Sequence, residues 1–152
     1  MLKFRTMKYG ADNSVHQQHM SGLINGEGSN KPMTKLDNDL QSGISSKILR
    51  KTSTDELPQL INVLRGEMSL VGPRPPIPYE VGNYSSWHYR RFDSVPGMTG
   101  LWQVNGKNRL TFRDMIRLDI QYGSKLSLWS DITILLKTPL AIFSDIKENR
   151  IK

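Results

Sequence analysis

Leu49-Arg50-Lys51-Thr52-Ser53-Thr54-Asp55-Glu56-Leu57-Pro58-Gln59-Leu60-Ile61-Asn62-Val63-Leu64-Arg65-Gly66 is where the texture of this chain changes. Upstream, Tyr9 to Ser46 is rich in Gly, Ser, Asn, Gln and Asp, the composition of a long polar loop or insertion that contributes little core. Within the stretch, Leu57, Leu60, Ile61 and Leu64 recur at helical spacing and Gly66 follows as a stop. This reads as a helix of two to three turns. Ser53 and Glu56 have capping-box spacing, while Pro58 offers an alternative first turn.

Working outward, Met68-Ser69-Leu70-Val71 reads as a short strand entering the stiff loop Gly72-Pro73-Arg74-Pro75-Pro76. Val95-Pro96-Gly97-Met98-Thr99-Gly100 is a second turn-rich passage, with Leu101 to Val104 extended after it. Leu110, Thr111, Asp114 and Met115 occupy N′, N-cap, N3 and N4 of a helix with both capping box and hydrophobic staple, running to Tyr122 with Gly123 as its end. A last helix opens near Ser130-Asp131, meets Pro139 as a kink or interruption, and reaches the basic residues Lys147, Arg150 and Lys152. The expected fold is α/β, mainly helical with short strands and long loops, as one domain over residues 1–152 with 9–46 as a polar loop or insertion within it.

Composition narrows the function. At 152 residues and 37% hydrophobic content, the chain can bury a single core. The absence of cysteine removes disulfide scaffolds, cysteine-based zinc sites and thiol nucleophiles. Lysine and arginine total 21 against 14 acids, for a net charge of +7, so nucleic acid, anionic lipid or phosphorylated small molecules are the attracted partners. No helix-turn-helix, RNA-recognition aromatics or zinc signature supports the first of these. The late apolar stretch Ile132 to Phe143 is broken by Lys137 and Pro139 and falls short of the roughly 20 apolar residues that span a bilayer. With no apolar leader after Met1, a cytosolic chain is expected.

Four places could carry chemistry. Asp55 and Glu56 sit at an expected helix start, where free N–H groups favour negative charge, so an ionised Asp could serve as nucleophile and its neighbour could hold a hard cation through oxygen. Acids in a first turn are also ordinary capping residues. Arg74, flanked by Pro73 and Pro75, has a backbone stiff enough to present its guanidinium to a phosphate, although proline-rich turns with a solvated Arg are common. Arg50, five residues before Asp55, could face the same phosphate or simply be exposed. Asp119 has Met115, Ile116, Tyr122 and Gly123 one helical turn away, so its charge needs either a distant Arg or a role toward substrate or metal. His16, His19 and His88 carry no catalytic assignment.

Taken in order, Lys3-Phe4-Arg5-Thr6-Met7, Leu49 to Leu60, Asn62 to Pro75, Pro96 to Gly106 and Arg117-Leu118-Asp119 resemble the bacterial sugar transferases, monotopic polyprenyl-phosphate phosphoglycosyl transferases that begin exopolysaccharide, capsule or glycan assembly. The resemblance covers nearly the whole chain apart from Gly10 to Lys31, and several motifs in sequence are far more specific than any one. It implies Asp55 as nucleophile, Glu56, with Asp55, as Mg²⁺ ligand, Arg74 as a clamp on the nucleotide-sugar, and Arg50 and Asp119 as further substrate-binding positions. The implied partners are a UDP-sugar, an undecaprenyl-type polyprenyl phosphate and the membrane surface, with UMP as leaving group and no nucleic acid. The implied place of the full-length family is the cytoplasmic face of the bacterial inner membrane.

Two departures accompany the resemblance. Family members carry an upstream apolar re-entrant helix, whereas Met1 here falls just before the Lys-Phe-Arg-Thr-Met segment, so a fragment or short form, soluble or peripheral, is expected. Asp39-Leu40-Gln41-Ser42-Gly43 lacks the family's Pro-Arg after Asn-Asp. A competing expectation is a catalytically silent interaction domain of the same fold that binds membrane or partner transferases.

Overall fold

A computed structural model describes residues 1–6, 14–24, 32–33, 49 and 52–148, the side chains of Val15, Asn108 and Glu148 excepted. Most of the described chain is helical: α1 (Ser14–Ile24), α2 (Gln59–Leu64), α3 (Pro78–Val81), α4 (Leu101–Val104), α5 (Phe112–Ser124) and α6 (Leu128–Glu148). β1 (Ser69–Val71) and β2 (Gly97–Thr99) form a two-stranded parallel sheet in which Ser69 pairs with Gly97 and Val71 with Thr99. Short 3₁₀ turns cover Thr54–Glu56, Ser86–Asp93 and Lys107–Arg109. This agrees with the expected α/β class, mainly helical with short strands.

The best-specified helix start is also the best formed. Thr111 caps α5, its hydroxyl 3.1 Å from the Asp114 N–H and 2.7 Å from Asp114 Oδ2. Phe112, Met115 and Ile116 of that helix are buried with Trp102 and with Met20 and Leu23 of α1. Ile116 has no exposed surface at all. A second, smaller core joins Val71, Tyr122 and Ile134, tying the sheet to α5 and α6. The Tyr122 hydroxyl lies 2.8 Å from Asp131 Oδ1 and 3.2 Å from the Val71 carbonyl oxygen, and burial together with Asp131 pushes its pKa up.

Three glycines make the sheet possible. A Cβ on Gly72 would lie 2.3 Å from the Val95 oxygen, one on Gly97 2.1 Å from the Gly72 nitrogen, and one on Gly100 2.4 Å from the Gly72 oxygen. The two turn-rich passages of the sequence therefore pack backbone against backbone, sealed by Gly72 N–H to Thr99 O at 2.8 Å and Gly97 N–H to Pro73 O at 2.9 Å.

Several expectations are corrected. The Tyr9 to Ser46 stretch is not loop throughout: α1 lies in it and contributes Met20 and Leu23 to the core. Leu101 to Val104 is helical, not extended. α5 runs one residue past Gly123, and α6 starts at Leu128, ahead of Ser130, with Pro139 inside it. The Ser53–Glu56 capping box does not form, because Ser53 adopts φ 57°, ψ 16° and its side chain caps nothing. The 39–43 segment lies outside the described residues.

The α2 region is inverted relative to its apolar pattern. Gln59 and Asn62 are buried, whereas Leu57, Leu60, Ile61 and Leu64 are exposed, Leu64 at 87%. Helical spacing pointed to a helix here, of which six residues form, shorter than the two to three turns expected.

Candidate active site

The acidic pair sits in the Thr54–Glu56 turn, ahead of α2, and not in the helix's own first turn. Ser53 enters this turn in the left-handed region, a conformation that costs a non-glycine residue roughly 1 kcal/mol and that re-aims the chain immediately before Asp55. α2 then begins after Pro58, the alternative start that the sequence offered.

The amino-terminal segment lies against this turn. Phe4 N–H donates to the Asp55 carbonyl at 3.0 Å, and Leu2 N–H donates to Asn62 Oδ1 at 2.8 Å. Asn62 in turn donates to Glu67. The buried polar face of α2 thus holds the chain start in place, which explains why Asn62 is inside. Lys3 is delivered to the acids: its Nζ lies 3.0 Å from Asp55 Oδ2 and 3.2 Å from Glu56 Oε1. Asp55 is 3% exposed as a residue, while Glu56 is partly open.

Two hard carboxylates converging on one cation form a donor set suited to Mg²⁺, which keeps several ligands from water or phosphate. Among the described residues no cluster of three or more acidic, histidine or cysteine side chains could hold a metal by itself. Any divalent ion here would need further oxygens from its substrate.

A second cluster surrounds Arg74. The Arg74 side chain is exposed, three residues beyond β1, while its carbonyl accepts a 2.8 Å bond from Arg91 Nη2. Arg91 is 2% exposed, and it also donates from Nη1 to the Tyr84 hydroxyl at 2.7 Å. Its Nη2 lies 2.7 Å from Asp119 Oδ2. The distant arginine that Asp119 required is therefore Arg91, 28 positions earlier in the chain. Asp119 faces this interior pair and is 1% exposed, which removes it from direct contact with a ligand in this arrangement. Burial raises the Asp119 pKa to about 7, against the opposing pull of Arg91. Glu80, which accepts from the Ile77 N–H at 3.3 Å, is also raised by burial, with Arg74 and Arg91 opposing.

Of the residues singled out from sequence, Asp55 and Glu56 are brought together with Lys3, and Arg74 and Asp119 are joined through Arg91. Arg50 lies outside the described residues. Lys3 and Arg91 were not singled out. Lys3 belongs to a short basic segment more than 50 residues from the acids, and Arg91 lies in an aromatic-rich run without local acidic neighbours at helical spacing. The unmet charge of Asp119 was the one signal pointing to Arg91.

A family model described as bacterial sugar transferase matches residues 1–145. The chain is 46% identical over 142 residues to galactosyl transferase CpsE of Streptococcus agalactiae, covering 90% of this chain and 29% of that protein. It is 40% identical over 143 residues to exopolysaccharide production protein ExoY of Rhizobium meliloti, covering 93% and 62% respectively. It is 47% identical over 104 residues to undecaprenyl-phosphate galactose phosphotransferase of Salmonella typhimurium, covering 68% and 22%. The chain thus spans less than two thirds of the length of each of these relatives.

Proposed function

The chain belongs to the bacterial sugar transferase family, and on that premise we propose that it transfers a sugar phosphate from a UDP-sugar to a membrane polyprenyl phosphate, with Asp55 as nucleophile. The observation that carries this reading is the Asp55–Glu56 pair, whose two carboxylates converge on one cation, the Lys3 ammonium. The name of the Salmonella relative supplies the acceptor class.

In the first step an Asp55 carboxylate oxygen attacks the phosphorus that bears the sugar. The bond from that phosphorus to the bridging oxygen breaks, and UMP leaves with that oxygen. In the second step a phosphate oxygen of the polyprenyl phosphate attacks the same phosphorus, the acyl-phosphate bond breaks, and Asp55 is regenerated as carboxylate. The product is a polyprenyl diphosphate sugar. Glu56, together with Asp55, would hold Mg²⁺, which when bound offsets repulsion between carboxylate and diphosphate. Arg74 grips the diphosphate with its planar fork from a backbone flanked by Pro73 and Pro75. Lys3 neutralises the acidic pair in the absence of substrate. Arg50, as a further substrate contact, rests on the resemblance alone.

The membrane-surface reading has its own support. Leu128, Trp129, Leu136, Leu140 and Phe143 of α6 are all exposed, as is the apolar face of α2. No helix among the described residues is long and apolar enough to cross a membrane. With a net charge of +7, these faces suit a peripheral position on an anionic bilayer, at its cytoplasmic side. The test of the reaction is UMP release from a UDP-sugar, dependent on Mg²⁺, dependent on polyprenyl phosphate for turnovers beyond the first, and lost in Asp55→Asn. Full turnover in Asp55→Asn overturns Asp55 as the nucleophile, and no UMP release by the unaltered chain returns the silent interaction domain as the better reading.

A further inference from the structure

Arg74 has an exposed side chain on a backbone fixed from several sides. Pro73 and Pro75 set the chain direction on either flank. Gly72 is wedged between Val95 and Gly97, and the Pro73 carbonyl accepts from Gly97 N–H at 2.9 Å. Pro75 also restricts the backbone of Arg74, and the peptide plane between them carries one further tie. That plane is held by Arg91, whose Nη2 donates to the Arg74 carbonyl at 2.8 Å.

Arg91 is built to hold it rigidly. Its guanidinium is almost fully buried, and its two terminal nitrogens meet three partners from separate parts of the chain: Tyr84 Oη at 2.7 Å, the Arg74 carbonyl at 2.8 Å and Asp119 Oδ2 at 2.7 Å. A buried arginine without an acidic partner would be strongly destabilising, and Asp119, 2.7 Å from Nη2, is that partner. A lysine in its place has no second nitrogen with which to hold the Tyr84 hydroxyl while the first meets the carboxylate and the carbonyl.

We infer that Arg91, held by Asp119 and Tyr84, is a positioning residue that acts through the Arg74 carbonyl to aim the Arg74 guanidinium at the diphosphate of the donor. The inference rests on the proposed donor role of Arg74. It also gives Asp119 its part in the site: it acts on the ligand through Arg91 and Arg74, at two removes, and not by contact. The geometry fits a division of labour in which Arg74 touches the phosphate and the interior pair sets its approach.

The test is a double-mutant cycle read as affinity for UDP with Mg²⁺ in the full chain. The expected result is that Arg91→Lys weakens UDP binding about tenfold in the unaltered background and by less than twofold in an Arg74→Ala background, because the residue through which it acts is gone. Tyr84→Phe, which removes one of the three partners and leaves the buried charge pair in place, should show a smaller loss with the same dependence on Arg74, and it serves if Arg91→Lys does not fold. A loss of equal size with and without Arg74 overturns the inference and makes Arg91 part of the core alone. Failure of the unaltered chain to bind UDP at all overturns the donor role of Arg74, and the inference with it.

Discussion

Lys3 Nζ lies 3.0 Å from Asp55 Oδ2, and the same ammonium reaches Glu56, so the residue proposed as nucleophile is held by a cation from the amino-terminal segment, more than 50 positions earlier in the chain. The Asp55 side chain is 4% exposed and that of Lys3 is 34% exposed. A half-open pair of this kind contributes only about 1 kcal/mol to stability. Its importance is in orientation: the ammonium draws the two carboxylates toward one point in front of the turn.

Lys3→Met should therefore move the unfolding midpoint by a few degrees at most and slow the reaction of Asp55 with a UDP-sugar about tenfold. Thermal unfolding and single-turnover UMP release check the two halves separately. A large loss of stability with an unchanged rate would assign Lys3 to anchoring the chain start.

The glycine crossing gives a sharper stability test. Gly97→Ala pushes a methyl carbon to 2.1 Å from the Gly72 nitrogen, backbone against backbone, and should cost about 3 kcal/mol or more. Gly22→Ala in α1 meets nothing within 4 Å and should instead stabilise by roughly 0.5–1 kcal/mol. Denaturant unfolding of the two variants should shift in opposite directions.

Asp119 makes stability depend on pH. Its pKa is raised by burial to about 7 in the folded chain from an ordinary 3.8, so between these values the folded state binds more protons than the unfolded state. The stability this contributes is full below about pH 4 and is lost as pH rises through 7. Asp119→Asn should flatten that part of the pH–stability curve, measured by denaturant midpoints from pH 4 to 8. His88 is shifted the other way, down by burial with Arg91 and Arg113 adding to it.

Arg74→Lys should weaken UDP-sugar handling about tenfold while leaving the thermal midpoint unchanged, since the side chain is exposed and an ammonium cannot reproduce a bidentate grip. Unchanged kinetics would reduce Arg74 to part of a turn.

The exposed face of α6 should carry weak, salt-sensitive binding to anionic vesicles and little to neutral ones. Trp129→Ser combined with Leu136→Ser should reduce flotation with anionic vesicles at least threefold with near-normal stability, because both side chains are more than 70% exposed. Tight binding that survives high salt would contradict the peripheral reading.

Local signals carried the reading of α5, whose start is written in Thr111 and Asp114, and of β1 and α2. They failed where burial is decided by partners distant in sequence. α2 turns Asn62 inward because the amino-terminal backbone bonds to it, and its leucines remain outside. α1 sits in a polar stretch, with Met20 and Leu23 as the few anchors that a composition average conceals. Leu101 to Val104 folds as a helix because Trp102 is drawn into the core beside Phe112 and Met115. In the site, Asp55, Glu56, Arg74 and Asp119 were legible as residues that chemistry or charge made unusual. Lys3 and Arg91 were not, since each gains its meaning only from an acid or a carbonyl that the fold brings to it.

The most direct measurement is the intact mass of the protein after incubation with a UDP-sugar and Mg²⁺ in the absence of any lipid acceptor, followed by peptide mapping. A sugar-phosphate increment on the peptide that contains Asp55, discharged by polyprenyl phosphate and absent in Asp55→Asn, is the expected result. An increment that persists in Asp55→Asn, or complete transfer with no increment at any time, would contradict Asp55 as the nucleophile.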